Sequence, residues 1–155
     1  MIMVIALACD HGAFELKEAM KAYLEEKGHT CKDFGCYTPD SVDYAPIAAK
    51  AAHAVADGEA TYGVFCCTTG IGISIAANKV KGIRAALCVN AHCAEMTRRH
   101  NNANVLCMGG ALVDVETAKE IVDTFLSKEF EGNTEAGARH ARRVAQIAMI
   151  ENGEL

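Results

Sequence analysis

Residues Ile2 to Cys9 form an unbroken apolar run that ends abruptly at Asp10-His11-Gly12. A strand without polar positions cannot turn one face to water, so it must be covered on both sides. That requirement points to a parallel sheet held between two helical layers. The next segment supplies a first cover. Ala13 to Lys27 places Phe14, Leu16, Ala19, Met20, Tyr23 and Leu24 among Glu and Lys at helical spacing, with Gly28 as the C-cap.

The alternation then continues to the end of the chain. His29 to Phe34 reads as a weaker strand, followed by a loop through Gly35, Thr38, Pro39 and Asp40. Ile47 to Ala56 is an alanine-rich helix, Tyr62 to Cys67 a second buried strand, and Ile73 to Val80 a helix. Arg84 to Val89 reads as strand, Ala91 to His100 as helix, Val105 to Met108 as strand and Val115 to Ser127 as helix. A polar stretch from Gly132 to Gly137 precedes an arginine-rich helix, Arg139 to Glu151, expected to pack on the core or on a partner chain. Five strands alternating with helices predict an α/β fold with a five-stranded parallel sheet, in one domain spanning residues 1–155. Such sheets bind ligands beyond the C-terminal ends of their strands. Three segments are expected there: Asp10-His11, Cys67 to Gly72, and the polar segment around His100.

A formal charge of −5 argues against nucleic-acid or anionic-membrane partners, which need a basic surface. The longest uncharged stretch, Ala60 to Asn78, is long enough to cross a bilayer. Its threonines, Ser74, Asn78 and glycines make a strand, loop and helix the better reading. Met1 to Cys9 lacks the Lys/Arg region of a signal peptide, so the eight cysteines are expected as reduced thiols in a cytoplasmic protein. No C-x-x-C or H-x-x-x-H pair occurs, so structural zinc is not expected, and no G-x-G-x-x-G follows the first strand, so no nucleotide cofactor is expected either.

Cys66 and Cys67 are adjacent at a strand end, so their side chains face opposite sides of the sheet. The loop after them, Thr68-Thr69-Gly70-Ile71-Gly72, leads into a helix N-terminus. Such a loop aims backbone N–H groups at one spot and favours an anion there. A thiol at its edge gains thiolate character and becomes a usable base or nucleophile. Cysteine is also a common core residue; that reading suits Cys66, whereas the loop favours chemistry at Cys67. A cysteine phosphatase would need arginine six positions after the nucleophile, where this chain has Ile73. The loop also lacks the lysine of a P-loop.

Asp10-His11 offers a carboxylate for hydroxyl groups and an imidazole for acid–base work or phosphate, or else simply a helix cap. Arg98-Arg99-His100-Asn101-Asn102 is also what a solvated helix end looks like. Arg139 and Arg143 share a helical face and are spaced to clamp one phosphate, with surface pairing to Glu as the plainer alternative.

Taken together, these residues resemble one family. Cys9-Asp10-His11, Asp43-Tyr44, Cys67-Thr68-Thr69-Gly70-Ile71-Gly72-Ile73-Ser74 with Ala76-Ala77-Asn78-Lys79, Gly82-Ile83-Arg84-Ala85, and Arg99-His100-Asn101 with Asn104-Val105 resemble the type B ribose-5-phosphate isomerases. That family includes allose-6-phosphate and galactose-6-phosphate isomerases. The resemblance implies a Rossmann-like three-layer sandwich, no metal, a role in pentose phosphate metabolism, and a homodimer or tetramer with active sites shared between subunits. It makes Cys67 the base that moves a proton between C1 and C2 of the open-chain sugar, assisted by Thr69. Backbone N–H groups across Thr68, Thr69, Gly70, Ile71 and Gly72 would hold the enediolate, with Ser74 beside them. His100 would open the sugar ring, and Asp10, Tyr44 and Asn101 would contact the sugar. His11, Arg139 and Arg143 would grip the phosphate.

The chain departs from the family pattern at three places. Thr68 stands where glycine is common, Ala111 stands where many members have arginine, and about three extra residues lengthen Asn133 to Ala136. These leave the reaction type intact and bear on the sugar. The resemblance implies ribose 5-phosphate and ribulose 5-phosphate first and a six-carbon sugar phosphate second; the alternative from another class is a non-catalytic sugar-phosphate or nucleotide binding module on the same scaffold.

Overall fold

The N-terminal apolar run becomes strand β1, Val4–Cys9, whose last five residues have no solvent exposure. The computed structural model, which describes residues 1–155, sets β1 inside a five-stranded, wholly parallel sheet. The other strands are β2 (Thr30–Asp33), β3 (Tyr62–Cys67), β4 (Ala85–Leu87) and β5 (Val105–Gly109), in the spatial order β2-β1-β3-β5-β4. Cys9 lies beside Cys66 and Cys67 beside Gly109, so β1, β3 and β5 end level at one edge.

Helices α1 (Phe14–Glu26), α4 (Ala91–Asn101) and α5 (Val115–Ser127) cover one face, and α2 (Tyr44–Ala56) and α3 (Ile71–Ala77) the other. The strand pleat divides β3 between the two cores. Val64 and Cys66 pack toward Leu16, Met20 and Phe125, whereas Phe65 and Cys67 pack toward Ala48, Ala51 and Ile73. The alanines let α2 lie close on the sheet. The last helix, α6 (Ala138–Glu151), packs on α4 and on a 3-10 turn at Glu131–Asn133.

The element order agrees with the expectation, and α5 has the expected bounds. Helix α2 starts three residues earlier than predicted, at Tyr44. Pro46 then falls in the first turn, where its missing N–H costs nothing. Helix α3 starts at Ile71 rather than Ile73, because Gly70 takes the left-handed conformation that turns the chain into it. Gly28, with φ of +88°, follows α1 as the predicted cap. Strand β4 is only three residues, as suits an exposed edge.

One buried ion pair ties the β2 edge together. The Lys17 side chain is fully buried, and its Nζ donates to the Asp33 oxygens at 3.0 and 2.8 Å and to the Cys36 carbonyl at 2.8 Å. Burial pushes the Asp33 carboxyl upward, but its bonds from Lys17 and the Gly35 N–H outweigh this and hold it below its ordinary value. Asp33→Asn removes the buried partner and leaves Lys17 only the half-exposed Glu18 carboxylate, 2.7 Å from Nζ, so stability should fall by roughly 3 kcal/mol. Urea unfolding would read this as a lower midpoint at unchanged slope. Because the folded-state value is depressed, the carboxylate's contribution is complete above the ordinary Asp value. It is lost as pH falls through the lower folded value, and acid unfolding of the variant should show less of this dependence.

Candidate active site

The strand order reverses between β1 and β3, which opens a crevice beyond their C-terminal ends. Asp10 leaves β1 into that crevice and is 7% exposed. Its Oδ1 accepts the Gly12 N–H at 2.9 Å, capping the short 3-10 turn His11–Ala13. The cap reading is therefore correct, and it leaves Oδ2 available to a ligand. Next to it, His11 Nδ1 accepts the Val42 N–H at 3.2 Å. The neutral ring then carries its proton on Nε2, an exposed donor suited to an anionic oxygen.

Cys67 ends β3 and is 4% exposed. The Gly70 N–H points at its sulfur at 3.0 Å. Gly70 has φ of +76°, and a Cβ there would fall 2.5 Å from Leu87 and 2.8 Å from the Met108 backbone, so only glycine closes the loop this tightly. The Thr69 hydroxyl accepts the Ile71 N–H at 3.3 Å. The N–H groups of Thr68 and Thr69 donate to no atom of the chain, and the first turn of α3 adds further unpaired donors. Free donors beside a thiol are what an anion formed at that thiol requires. Ser74 is different: its hydroxyl donates to the Ile71 carbonyl at 2.8 Å and serves the helix.

Tyr44 closes the other side. Its phenol ring lies against Gly72, where a Cβ would come within 2.7 Å of the ring. Asp10, His11, Val42, Tyr44, Pro46 and Thr68 line a cavity of about 630 Å³ at this edge.

The segment around His100 lies elsewhere. Helix α4 begins after the C-terminal end of β4 and runs back, so its last turn reaches the opposite edge of the sheet. There Arg98 donates to the Tyr62 hydroxyl at 2.8 Å, at the start of β3, and Arg84 donates to the Asn102 carbonyl at 2.8 Å. The expectation that this segment joins the strand C-termini is corrected: it follows a helix, not a strand. The turn that carries His100 and Asn101 meets the start of β3, and Cys67 ends it; the five steps between those ends span about 16 Å at roughly 3.3 Å per step.

At that far edge His100 stacks on His140, with ring centroids 4.2 Å apart and planes within 4°. Glu131 stands against both. Its Oε1 takes Arg99, and its Oε2 lies 3.5 Å from His100 Nε2 and 3.8 Å from His140 Nε2. Burial, and then the nearby Arg139, push His140 below its usual value. These three residues are close enough to suggest a metal site. The parallel rings do not fit one, since in-plane lone pairs on stacked imidazoles cannot converge on a single ion. Arg139 and Arg143 are exposed on α6 and form no ion pair within the chain, so surface pairing to Glu is not their role here. Glu131 and His140 were missed by sequence reasoning. They come from a turn and from the last helix, and no local spacing links them to His100.

Comparison with known proteins shows the family and the fold. Residues 5–147 match the profile of the Ribose/Galactose Isomerase family. The chain is 44% identical over 147 residues to ribose-5-phosphate isomerase B of Escherichia coli K12, covering 95% of each chain. It is 41% identical over 155 residues to D-erythrulose-4-phosphate isomerase of Pectobacterium atrosepticum, covering 99% of this chain and 98% of that one. The solved structure of Clostridium thermocellum ribose-5-phosphate isomerase B superposes with a TM-score of 0.93 at 45% identity, covering 99% of this chain and all of the other.

Proposed function

The chain belongs to the ribose/galactose isomerase family, and from that premise we propose that it interconverts ribose 5-phosphate and ribulose 5-phosphate through an enediolate. The observation that carries this reading is the Cys67 sulfur at the edge of a loop whose N–H groups at Thr68 and Thr69 are free. Cys67 takes the proton from C2 of the open aldose and returns it to C1, while one hydroxyl proton passes from O2 to O1. No oxidant, reductant or water is consumed. The developing charge on the two oxygens is received by the loop donors, with Thr69 beside the sulfur. Asp10 and Tyr44 hold sugar hydroxyls, and His11 donates from Nε2 to the phosphate.

Ring opening and the remaining phosphate contacts need His100, Asn101, Arg139 and Arg143, which lie at the other edge of the same sheet. A second copy brings them across. In a two-fold dimer, the far edge of one protomer meets the Cys67 edge of its partner, and each site is built from both. Free Arg139 and Arg143 in a chain of net charge −5 support that role. No helix is long and apolar enough to cross a membrane. The eight free thiols suit a reducing cytoplasm.

Conversion of ribose 5-phosphate with no added metal or nucleotide tests the proposal directly. The Pectobacterium relative, whose name gives a four-carbon sugar, favours a second reading in which the sugar differs in length. The same assay should therefore include D-erythrulose 4-phosphate and allose 6-phosphate. His100→Asn should slow turnover of the cyclic substrate about a hundredfold, because ring opening needs acid–base help at the ring oxygen. Turnover of D-erythrulose 4-phosphate, too short to form a ring through its phosphorylated end, should change little. Equal losses on both would remove His100 from ring opening.

A further inference from the structure

Gly12 and Thr68 share one space. A Cβ added at Gly12 would fall inside the Thr68 hydroxyl, 3.1 Å from the Thr68 Cβ and 3.4 Å from Asp10 Oδ1. The Thr68 side chain therefore stands over the turn after β1, exposed, on the wall of the cavity that Asp10, His11 and Tyr44 also line. Its chain neighbour is Cys67, and the chain neighbour of the glycine beneath it is His11. Resting on the proposed isomerisation, Cys67 marks the reacting end of the sugar and His11 the phosphate end. The threonine stands between them.

We infer that Thr68 sets an upper limit on the length of sugar phosphate this site accepts, favouring four- and five-carbon chains over six-carbon ones. The fold fixes the separation of Cys67 from His11, since Cys67 ends β3 and His11 lies two residues past β1, and the two strands are paired in register. A longer chain held at both ends must bow between them. The Thr68 methyl and hydroxyl fill the floor into which it would bow, and Gly12 offers no compensating depth because the threonine already occupies it. Volume, rather than the hydroxyl's hydrogen bonding, is the operative property.

Three variants separate these properties. Thr68→Gly removes the volume, Thr68→Val keeps it without the hydroxyl, and Thr68→Ser keeps the hydroxyl with less bulk. Thr68→Gly should raise kcat/KM for allose 6-phosphate relative to ribose 5-phosphate by about tenfold or more, the scale of a filled or emptied methyl-sized space. Thr68→Val should keep the wild-type ratio, and Thr68→Ser should fall between. The shared space has its own check: Gly12→Ala should impair the protein alone and be tolerated beside Thr68→Gly. Calorimetric binding of 5-phosphoribonate and 6-phosphoallonate, linear acids that need no turnover, reads the same selectivity. If wild-type protein turns over no sugar phosphate but Thr68→Gly shifts this binding ratio, the isomerase reading fails and the length limit stands. A binding ratio unmoved by Thr68→Gly, or moved equally by Thr68→Val, overturns the length limit whatever the protein catalyses.

Discussion

Replacing Cys67 with alanine should abolish turnover, with a fall of at least a hundredfold in kcat and little change in substrate affinity. Cys66→Ala should keep most of the activity. The two thiols are neighbours on one strand, yet the pleat separates them completely. Cys66 lies in the core beneath α1 and α5, and burial, with the adjacent Cys67, pushes its thiol up to about 12. It holds its proton at neutral pH and has no route to a ligand. Cys67 turns to the other face at the strand's end, where the Gly70 N–H meets its sulfur. Steady-state kinetics on both variants, with circular dichroism to confirm the fold, decides between them. Activity retained in Cys67→Ala and lost in Cys66→Ala would mean that the base enters the crevice from the opposite face.

The same pleat explains why so much was legible beforehand. Ile2 to Cys9 could be read as a doubly covered strand because it has no polar position, and residues 5–9 of β1 are buried as that requires. The Cys67 loop was legible because glycines, threonines and a thiol sit together in the chain. Local chemistry survives translation from sequence to structure. The His100 segment was misplaced because it was judged by its polar composition, although a helix joining two parallel strands must end at the edge where the next strand begins. Glu131 and His140 were invisible for a different reason. Their meeting with His100 is made by α6 packing on α4, a contact between elements that no spacing within one element encodes. Arg139 and Arg143 lay between these cases. Their shared helical face was readable, but whether carboxylates occupied them was a question only the packed chain answers.

The separation of the two half-sites yields the second large effect. Cys67→Ala protein and His100→Asn protein should each be nearly inactive on ribose 5-phosphate. Mixed under conditions that exchange subunits, they should regain activity. The proposed shared site leads to this outcome, because Cys67 lies at the C-terminal end of β3, while the turn that carries His100 is tied to the residues before and at the start of β4 and β3 through Asn102–Arg84 and Arg98–Tyr62. A single protomer cannot bring both to one sugar, since the sheet between them is rigid and paired along its length. In a mixed dimer one site therefore carries both lesions and the other carries neither. Random exchange in an equal mixture makes half of the dimers mixed, and one intact site in two restores about a quarter of wild-type activity. Arg143→Ala should complement Cys67→Ala in the same way, since α6 travels with His100. It should fail to complement His100→Asn, because both residues belong to the same edge and each site of a mixed dimer then carries one of the two lesions. Native mass spectrometry verifies exchange. No recovery in verified mixed dimers would place His100 and Cys67 in separate functions and remove the shared site.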